Sequence, residues 1–173
     1  MADIKYSLEL YSYWHCGSGL SSGADADALT VKDKDGLPFV PGKTIKGLVR
    51  EAVEEIGSSD SLSFLGKEGV FQSDCFFSDA TLIDKDEIIA SKLQDGLFDR
   101  IASTRIDPIT GTAANGSLRT IEVVIPCKLT GEILNVPIGF SSVIINALAY
   151  IKRIGLQRNR GLGRCHFIVE EEK

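Results

Sequence analysis

The chain has 173 residues, of which 43% are hydrophobic and 25% charged, and its formal net charge is −5. These values are typical of one soluble globular domain with a genuine core. No stretch approaches the roughly 20 apolar residues that cross a bilayer, and the N-terminus lacks the pattern of a secretory signal. We therefore expect a single domain, residues 1–173, with no membrane partner.

The four cysteines are widely spaced and form no CxxC pair, which argues against a zinc ribbon and a disulfide framework. A reduced cytoplasm is therefore the expected location. The dyads His15-Cys16 and Cys165-His166 would together offer four zinc ligands if their strands were neighbours. Ordinary packing is the favoured interpretation, because adjacent residues on a strand point to opposite faces.

The first part of the chain predicts a strand, a long loop and an amphipathic helix. Alternating apolar residues favour a strand from Ile4 to Tyr11. The stretch from Gly17 to Gly36 is rich in Gly, Ser, Ala and Asp, which predicts a loop. A helix is expected after Pro41-Gly42, with apolar residues three and four positions apart as far as Ile56 and with Gly57 at its end.

The remaining elements predict an α+β fold. We expect strands at Cys75–Ile83, 120–129, 132–138 and 164–170, a short helix or irregular segment at 87–101, and a helix from Ser142 to Ile154 that stops at Gly155. Gly131 would lead from strand 120–129 into strand 132–138. The polar stretch 103–118 predicts a protrusion. Without insertions at about 17–36 and 102–119, this order is ferredoxin-like: an antiparallel sheet with two helices on one face.

A glycine-rich, basic loop follows the last predicted helix, where the chain reads Gly155-Leu-Gln-Arg-Asn-Arg-Gly-Leu-Gly-Arg164. Its three glycines, Gly155, Gly161 and Gly163, allow close approach of the backbone to a partner, and its arginines offer planar forks for phosphate oxygens. From Ile151 to Val169 there are five Lys/Arg residues and no acid. In an acidic chain this concentration predicts an anion site of the kind that binds a polyphosphate backbone.

Three segments carry a family resemblance. The first is Leu37-Pro-Phe-Val-Pro-Gly-Lys-Thr-Ile-Lys-Gly-Leu-Val-Arg50, similar to a PG-x-x-(L/I)-K-G-x-x-R motif. The second is Thr104–Ala113 followed by Leu118–Glu122, and the third is the glycine-rich loop, with Phe77-Ser-Asp-Ala80 as a weaker match. In this order they resemble the RAMP superfamily of CRISPR proteins, specifically the backbone subunit of type III effector complexes.

The resemblance implies a protein that polymerises along a CRISPR guide RNA, while a thumb interrupts the duplex between guide and complementary target RNA at intervals. The implied partners are the guide RNA, the target RNA, further copies of this chain and other CRISPR effector subunits. It also implies an endoribonuclease that cleaves target RNA with a divalent metal, Mg²⁺. The catalytic aspartate of such subunits lies upstream of the PG motif, where Asp27 matches best and Asp25 is the alternative.

The same resemblance assigns Asp27 as the metal ligand and places His15, ahead of Gly17-Ser-Gly19, near bound RNA. A loop carboxylate could bind a divalent metal or accept a proton from a nucleophile such as the 2′-hydroxyl. The alternative is that Asp25 and Asp27 simply face solvent, as acids in polar loops usually do. The residues alone favour that alternative, and the resemblance favours catalysis.

Basic residues of the three motifs are candidates for RNA contact. Lys43, Lys46 and Arg50 share a face of the predicted helix near its positive end, segregated from the acids of that helix, which favours phosphate contact. Arg105 and Arg119 flank the predicted thumb and either hold phosphate there or form salt bridges to Asp107 or Glu122. Glycine interleaving favours RNA contact for the loop arginines, which are Arg158, Arg160 and Arg164.

Three other functions stay open. The first keeps the RNA binding and drops the catalysis, as a non-catalytic scaffold or cap subunit. The second is a guide-processing ribonuclease with His15 as general base, which is disfavoured because such enzymes resemble two ferredoxin-like domains in tandem. The third is a nucleotide-binding domain, but the chain has no GxxxxGK[ST] and no GxGxxG between a strand and a helix.

Overall fold

The computed structural model describes residues 1–21, 26–57, 65 and 75–170. Its strands and helices are β1 (Ala2–Leu10), α1 (Gly42–Glu55), β2 (Phe76–Phe77), β3 (Thr81–Leu82), α2 (Lys85–Ala90), β4 (Phe98–Ser103), β5 (Arg119–Val124), β6 (Lys128–Val136), α3 (Ser141–Tyr150) and β7 (Cys165–Val169). Short 3₁₀ turns occupy Gln94–Leu97 and Arg158–Arg160. None of the described helices is long and apolar enough to span a membrane. Asp25 lies outside the described residues.

The main sheet is antiparallel, with the spatial order β2, β6, β1, β7, and β3 also pairs with β6. The first strand is therefore central, between β6 on one side and β7 on the other. Helices α1 and α3 pack against each other and against the sheet. This is the ferredoxin-like order, so the predicted α+β class is confirmed.

Alternation along β1 explains how the sheet buries one face. Ile4, Tyr6, Leu8 and Leu10 are all at most 5% exposed, as the period of two along a strand requires. The apolar stripe of α1 packs on that face, and its buried members are Ile45, Leu48, Val49, Ala52 and Val53. Each such side chain stabilises the fold by about 1.5–3 kcal/mol relative to exposure.

The predicted boundary between two strands at Gly131 is wrong. β5 pairs with β4 in a separate two-stranded sheet, whereas β6 pairs with β1. The break between β5 and β6 falls at residues 125–127, where Pro126 has no N–H for a ladder. Gly131 instead lies inside β6, opposite Tyr6, where a Cβ atom would lie 2.5 Å from the tyrosine hydroxyl.

Two further boundaries differ from the prediction. The predicted strand Cys75–Ile83 is divided into β2 and β3, because Ala80 between them bridges Val40. The last helix ends at Tyr150, and the chain is extended at Ile151, where ψ is 115°. Gly155 is therefore not a helix stop, and its positive φ has another cause, given below.

The insertion between β3 and β6 is larger than the predicted segment 102–119. It contains α2, the turn Gln94–Leu97 and the β4–β5 sheet, with the strands as a stem and residues 104–118 as the tip. Ile106 bridges Ala113 within this tip. We call the whole unit, residues 83–127, the thumb. The described part of the other predicted insertion, 17–36, contains no helix or strand, as expected for a loop, but isolated bridges order it, including an antiparallel bridge between Gly17 and Thr30.

We predict that Gly131→Ala destabilises the protein, because Tyr6 is fully buried and its ring cannot move away from the added methyl group. The expected loss is about 1–3 kcal/mol in the free energy of unfolding, measured by urea denaturation. Gly47→Ala in α1 is the matched control, since among the described residues no atom lies within 4 Å of a Cβ there. It should stabilise the helix by up to about 1 kcal/mol. Equal effects of the two substitutions would contradict the close contact between Gly131 and Tyr6.

Candidate nucleic-acid interface

An extended segment, residues 13–16, joins the thumb to the glycine-rich loop. On one edge it pairs with β5, where Trp14 N–H donates to Val124 O (3.1 Å) and Val124 N–H donates to Trp14 O (2.8 Å). On the other edge, Leu156 N–H donates to His15 O at 2.9 Å and Gly163 N–H donates to Tyr13 O at 2.7 Å. The segment thus fixes the thumb stem and the loop in one local sheet-like arrangement.

His15 lies at the centre of this arrangement and is only 2% exposed. Its Nδ1 lies 2.6 Å from the Glu122 carbonyl oxygen and 3.3 Å from the Thr30 hydroxyl. A carbonyl oxygen can only accept, so Nδ1 carries a proton and donates it. The other ring nitrogen, Nε2, points toward Gly17, where a Cβ atom would lie 3.3 Å away. The ring is held in one orientation by these contacts.

The described part of loop 17–36 returns antiparallel to residues 16–20. Ser18 N–H donates to Leu29 O at 2.9 Å, and Val31 N–H donates to Cys16 O at 2.8 Å. Residues 27–30 then run beside β5, with Ala28 bridging Ile121. The loop is therefore a strand-like flap held against the thumb stem.

Asp27 is positioned by that flap. Its backbone N–H donates to Thr120 O, and its Oδ2 accepts from Thr120 N–H, both at 2.7 Å. Its Oδ1 lies 4.0 Å from Arg119 Nη1, and the side chain is 45% exposed. The carboxylate is thus oriented by the backbone of β5 and still accessible, with a cation beside it. The acid next to Arg119 is therefore Asp27, rather than either of the salt-bridge partners that the sequence suggests.

Glu122 forms a buried polar anchor beneath the flap. It is 9% exposed and accepts hydrogen bonds from Thr30 N–H at 3.1 Å and from Lys32 Nζ at 3.0 Å. The Lys32 ammonium also lies 3.9 Å from the centre of the Phe98 ring, a cation–π contact. Thr30 and Lys32 are not among the site residues predicted from sequence. The only signal for this anchor is a single acid in the β-branched run 120–129.

The positive end of α1 opens onto the same side of the molecule. Gly42 N–H donates to Asp79 Oδ1 at 2.8 Å, which fixes the start of the helix. The first turn contains no acid, and Lys43 is exposed there. A helix N-terminus with an exposed lysine attracts anions. Asp79 lies in the weaker motif Phe77-Ser-Asp-Ala80, so that motif positions the helix.

The glycines of the basic loop serve mainly to pack the backbone. Gly155 has φ +77°, and a Cβ atom there would overlap the His15 carbonyl. Gly163 has φ +68°, and a Cβ atom there would overlap the Ile154 carbonyl. Between them, Leu162 is 9% exposed and packs in a small cluster with Ile121 and Val123 of β5. Gly161, in contrast, leaves open space around its α-carbon in the described part of the chain.

These elements enclose a groove of about 710 Å³. It brings together four predicted site residues from distant parts of the chain, namely His15, Asp27, Lys43 and Gly155. Polar atoms of the flap, including the Ser18 hydroxyl, also line it. We call this space the main groove. Its walls are glycine-rich backbone, one carboxylate and one lysine, which suits a sugar–phosphate strand.

Other predicted contacts do not line the main groove. Arg158 pairs with Glu51 at 3.1 Å, and Arg50 Nη2 donates to the Leu65 carbonyl at 3.0 Å. Burial and the neighbouring Arg50 lower the pKa of Lys46. Arg105 lies on the thumb tip, where its N–H donates to Ser117 Oγ at 3.1 Å. The remaining predicted residues outside the groove are Arg119, Arg160, Gly161, Gly163 and Arg164.

Metal ligands are sparse in the described residues. No group of three or more His, Cys, Asp or Glu side chains among them is arranged to hold a metal ion. The four cysteines are free thiols, and burial raises the pKa of Cys16 and of Cys165 to about 12 each. His15-Cys16 and Cys165-His166, which all lie within the described residues, are not part of such a group.

A family model matches this chain, and solved structures share its fold. Residues 7–166 match the model of the RAMP superfamily. A solved chain in the cryo-EM structure of the type III-B Cmr-beta complex bound to cognate target RNA shares the fold with a TM-score of 0.80 at 14% identity, covering 98% of this chain and 97% of that one. A chain of the apo Cmr-beta complex gives a TM-score of 0.77 at 16% identity, covering 98% of each. No curated protein sequence gives a significant match.

We predict that Glu122→Ala destabilises the protein more than Glu122→Gln. The glutamine keeps an oxygen for Thr30 N–H and loses only the ion pair to half-exposed Lys32, about 1 kcal/mol or less. The alanine also leaves the buried Thr30 N–H without its partner, a further loss of about 1–3 kcal/mol. Urea denaturation measures both, and Lys128→Gln, which breaks an exposed pair with Glu9, is the control. Equal losses for the two Glu122 variants would contradict the anchoring role.

The thumb tip should respond to acid through Asp107. Hydrogen bonds from the Thr110 and Ile109 amides hold the pKa of this exposed carboxyl below its usual range. The stabilisation that Asp107 gives to the folded turn is therefore complete above the ordinary aspartate pKa of about 3.9. It is lost as the pH falls through the lower pKa of the folded state. Amide chemical shifts of Ile109 and Thr110 should follow that titration. In Asp107→Asn these two amide chemical shifts should not change with pH. A titration midpoint at or above the ordinary aspartate pKa would contradict the hydrogen bonds that we assign to this turn.

Proposed function

Because the chain belongs to the RAMP superfamily, we propose that it is an RNA-binding subunit of a type III CRISPR interference complex. The observation that carries this proposal is the convergence of His15, Asp27, Lys43 and Gly155 in the main groove. A similar fold occurs in a complex bound to cognate target RNA. Guide RNA would lie along the main groove, and copies of the chain would repeat along it as a filament with other effector subunits.

Electrostatics support the placement of the guide. The whole chain carries a formal charge of −5, so RNA contact must be local. Lys43, exposed in the first turn of α1, supplies a point charge for a phosphate. Binding should therefore weaken steeply with salt, by about 0.7 in log–log slope for each phosphate contacted on a single strand.

The thumb supports the proposed contact with target RNA. Its tip carries Ile106 and Ile109, which are 57% and 93% exposed, and Leu118 is exposed where the tip joins β5. Exposed apolar side chains on a protrusion mark a surface for a partner. Base pairs at the end of a duplex segment offer the flat apolar face that such a tip would contact. Interruption of the guide–target duplex is the role we propose for it.

Asp27 is the proposed catalytic residue of an endoribonuclease site. This site would act on target RNA in the assembled complex. Mg²⁺ sites commonly use one or two carboxylates with substrate phosphates. Asp27 supplies one accessible carboxylate, already oriented by Thr120 N–H, so the described residues fit a metal shared with RNA. A bound Mg²⁺ would neutralise charge on the phosphate.

The chain's own residues define the remaining chemistry. Asp27 would accept the proton of the attacking 2′-hydroxyl, as a general base. The 2′-oxygen then bonds to phosphorus, the P–O5′ bond breaks, and the 5′-oxygen leaves and takes up a proton from solvent water. Arg119, whose Nη1 lies 4.0 Å from the Asp27 carboxylate, would pair with the phosphate oxygens.

A non-catalytic scaffold is the second candidate, and one observation favours it. Asp27 caps the Thr120 N–H, which is a sufficient structural reason for its presence. Guide processing with His15 as base has less support, because the ring is 2% exposed and its Nδ1 is committed to the Glu122 carbonyl.

The test is target cleavage by the complex assembled with guide RNA and partner subunits, supplied with labelled complementary RNA and Mg²⁺. Asp27→Asn keeps an oxygen for Thr120 N–H, so the flap should hold its position. We expect regularly spaced cuts by the wild type and a loss of about 100- to 10,000-fold in the variant, with target binding retained. Asp35→Asn, on an exposed turn of the same loop, should cut normally.

Other results would revise the proposal in defined ways. Cuts that persist in Asp27→Asn would move the chemistry to Asp25, His15 or another subunit. Binding without cuts in any variant would leave a guide-holding scaffold. Failure of the wild type to assemble on guide RNA would contradict the proposed function altogether.

A further inference from the structure

A second cleft lies on the other side of the glycine-rich loop and shares no residue with the main groove. It has a volume of about 430 Å³ and lies where β1 ends and β7 begins. Its lining residues are Tyr11, Lys152, Arg153, Arg164, Cys165 and His166. Three of these are permanent cations at neutral pH, and among the described residues no acid lines the cleft. We call it the basic cleft.

The backbone fixes these cations next to one another. Arg153 and Arg164 face each other across an antiparallel bridge. Cys165 N–H donates to Lys152 O, and Tyr11 N–H donates to Arg164 O, both at 2.9 Å. Three chain segments are thus hydrogen-bonded side by side, and the charges cannot separate by loop movement alone. Like charges directly opposite on paired strands are destabilising.

No carboxylate of the described residues lies within salt-bridge distance of these cations, and Glu9 reaches the cleft through its hydrogen bond to the Tyr11 hydroxyl. Within that part of the chain, none of the three cations takes part in a salt bridge. Lys152 Nζ donates to the Ala149 carbonyl and Arg153 Nη1 to the Arg158 carbonyl, both at 2.6 Å. These neutral acceptors orient the side chains without cancelling their charge. These cations lie next to one another, which opposes folding, and they are hydrogen-bonded only to neutral carbonyl oxygens. Such an arrangement indicates an anionic ligand.

We propose that the basic cleft is a second site for the RNA backbone, holding phosphates of a strand that continues past the glycine-rich loop from the main groove. The proposal rests on the proposed function for the identity of the strand. Continuity supports it, because Gly155 and Leu156 at the start of the loop line the main groove, whereas Arg153 and Arg164 at its two ends line the basic cleft.

Tyr11 favours RNA over an acidic peptide as the occupant. Its side chain is 57% exposed, and its hydroxyl donates to Glu9 Oε2 at 2.8 Å, which holds the ring in place. An exposed, oriented aromatic ring beside arginine forks is the combination that single-stranded nucleic acids use, with base stacking next to phosphate pairing. An acidic peptide would use the charges alone.

The experiment measures binding of fluorescein-labelled single-stranded RNA to the full chain as a function of salt. The test variant is the triple substitution Lys152→Gln, Arg153→Gln and Arg164→Gln. We expect the slope of log affinity against log salt to fall by about 2, at about 0.7 for each lost phosphate contact. Removal of like charges should leave the thermal midpoint equal to or above that of the wild type, so weaker binding would not reflect unfolding.

The matched control removes exposed lysines elsewhere, Lys5→Gln with Lys85→Gln, and should change the slope little. Lys43→Gln separates this inference from the proposed function. If Lys43→Gln weakens binding and the triple variant binds as the wild type does, the main groove stands and the basic cleft is refuted. If only the triple variant weakens binding, the cleft stands and the main groove is revised. No RNA binding by the wild type would overturn both.

A second binding experiment tests an acidic peptide as the alternative occupant of the basic cleft. A synthetic peptide that ends in the acidic sequence Glu170-Glu-Glu followed by Lys173 is titrated against the wild-type protein and against the triple variant. Binding of this peptide to the wild type alone, with RNA affinity equal in both, would overturn the RNA assignment in favour of a protein segment. Loss of RNA affinity in Tyr11→Ala, with retention in Tyr11→Phe, would support base stacking.

Discussion

The hydrogen bonds on both edges of residues 13–16 are the constraint on which the candidate site depends. One edge is paired with β5 of the thumb and the other with the glycine-rich loop, so thumb, flap and loop share one short extended segment. His15 reinforces it, because its ring spans from this segment to the Glu122 carbonyl. Extended backbone buried between two partners leaves few polar groups unpaired, which is the condition for a buried connection. The main groove exists because these parts cannot move independently.

This constraint also explains why two glycines of the basic loop are required. Gly155 and Gly163 stand where the backbone of residues 13–16 and of Ile154 comes too close for a Cβ atom. Close approach of backbone to backbone, rather than of backbone to RNA, is the physical reason for both. If the loop contacts RNA, as proposed above, the contact would come from its side chains and from Gly161, where no described atom lies within 4 Å of a Cβ position. Leu162 completes the attachment by packing on β5.

Local sequence patterns were sufficient to predict the elements whose buried residues recur with a regular period. The stripe of α1 and the alternation of β1 are confirmed, since both depend only on nearby residues. The predicted strand boundary at Gly131 was wrong because a β-branched run does not show which strand is its partner, and the pairing of β6 with β1 is a contact between distant residues. For the site, the order of the motifs selects His15, Asp27 and Lys43, and all three line the main groove. That order could not show that Arg158 pairs with Glu51, since the pair depends on how the loop packs against α1.

Charge in this molecule is best understood by separating paired from unpaired cations. Lys32, Lys128 and Arg158 each have a carboxylate partner at 3.0–3.1 Å, and each pair joins neighbouring parts of the fold. Within the described residues, Lys43 at the positive end of α1 and the three cations of the basic cleft form no salt bridge. Like charges directly opposite one another, such as Arg153 and Arg164 in the basic cleft, lower the stability of the fold. A bound polyanion would relieve this repulsion. Under the proposed function, we therefore expect the RNA to follow these unpaired cations rather than the basic residues of the sequence taken as a whole.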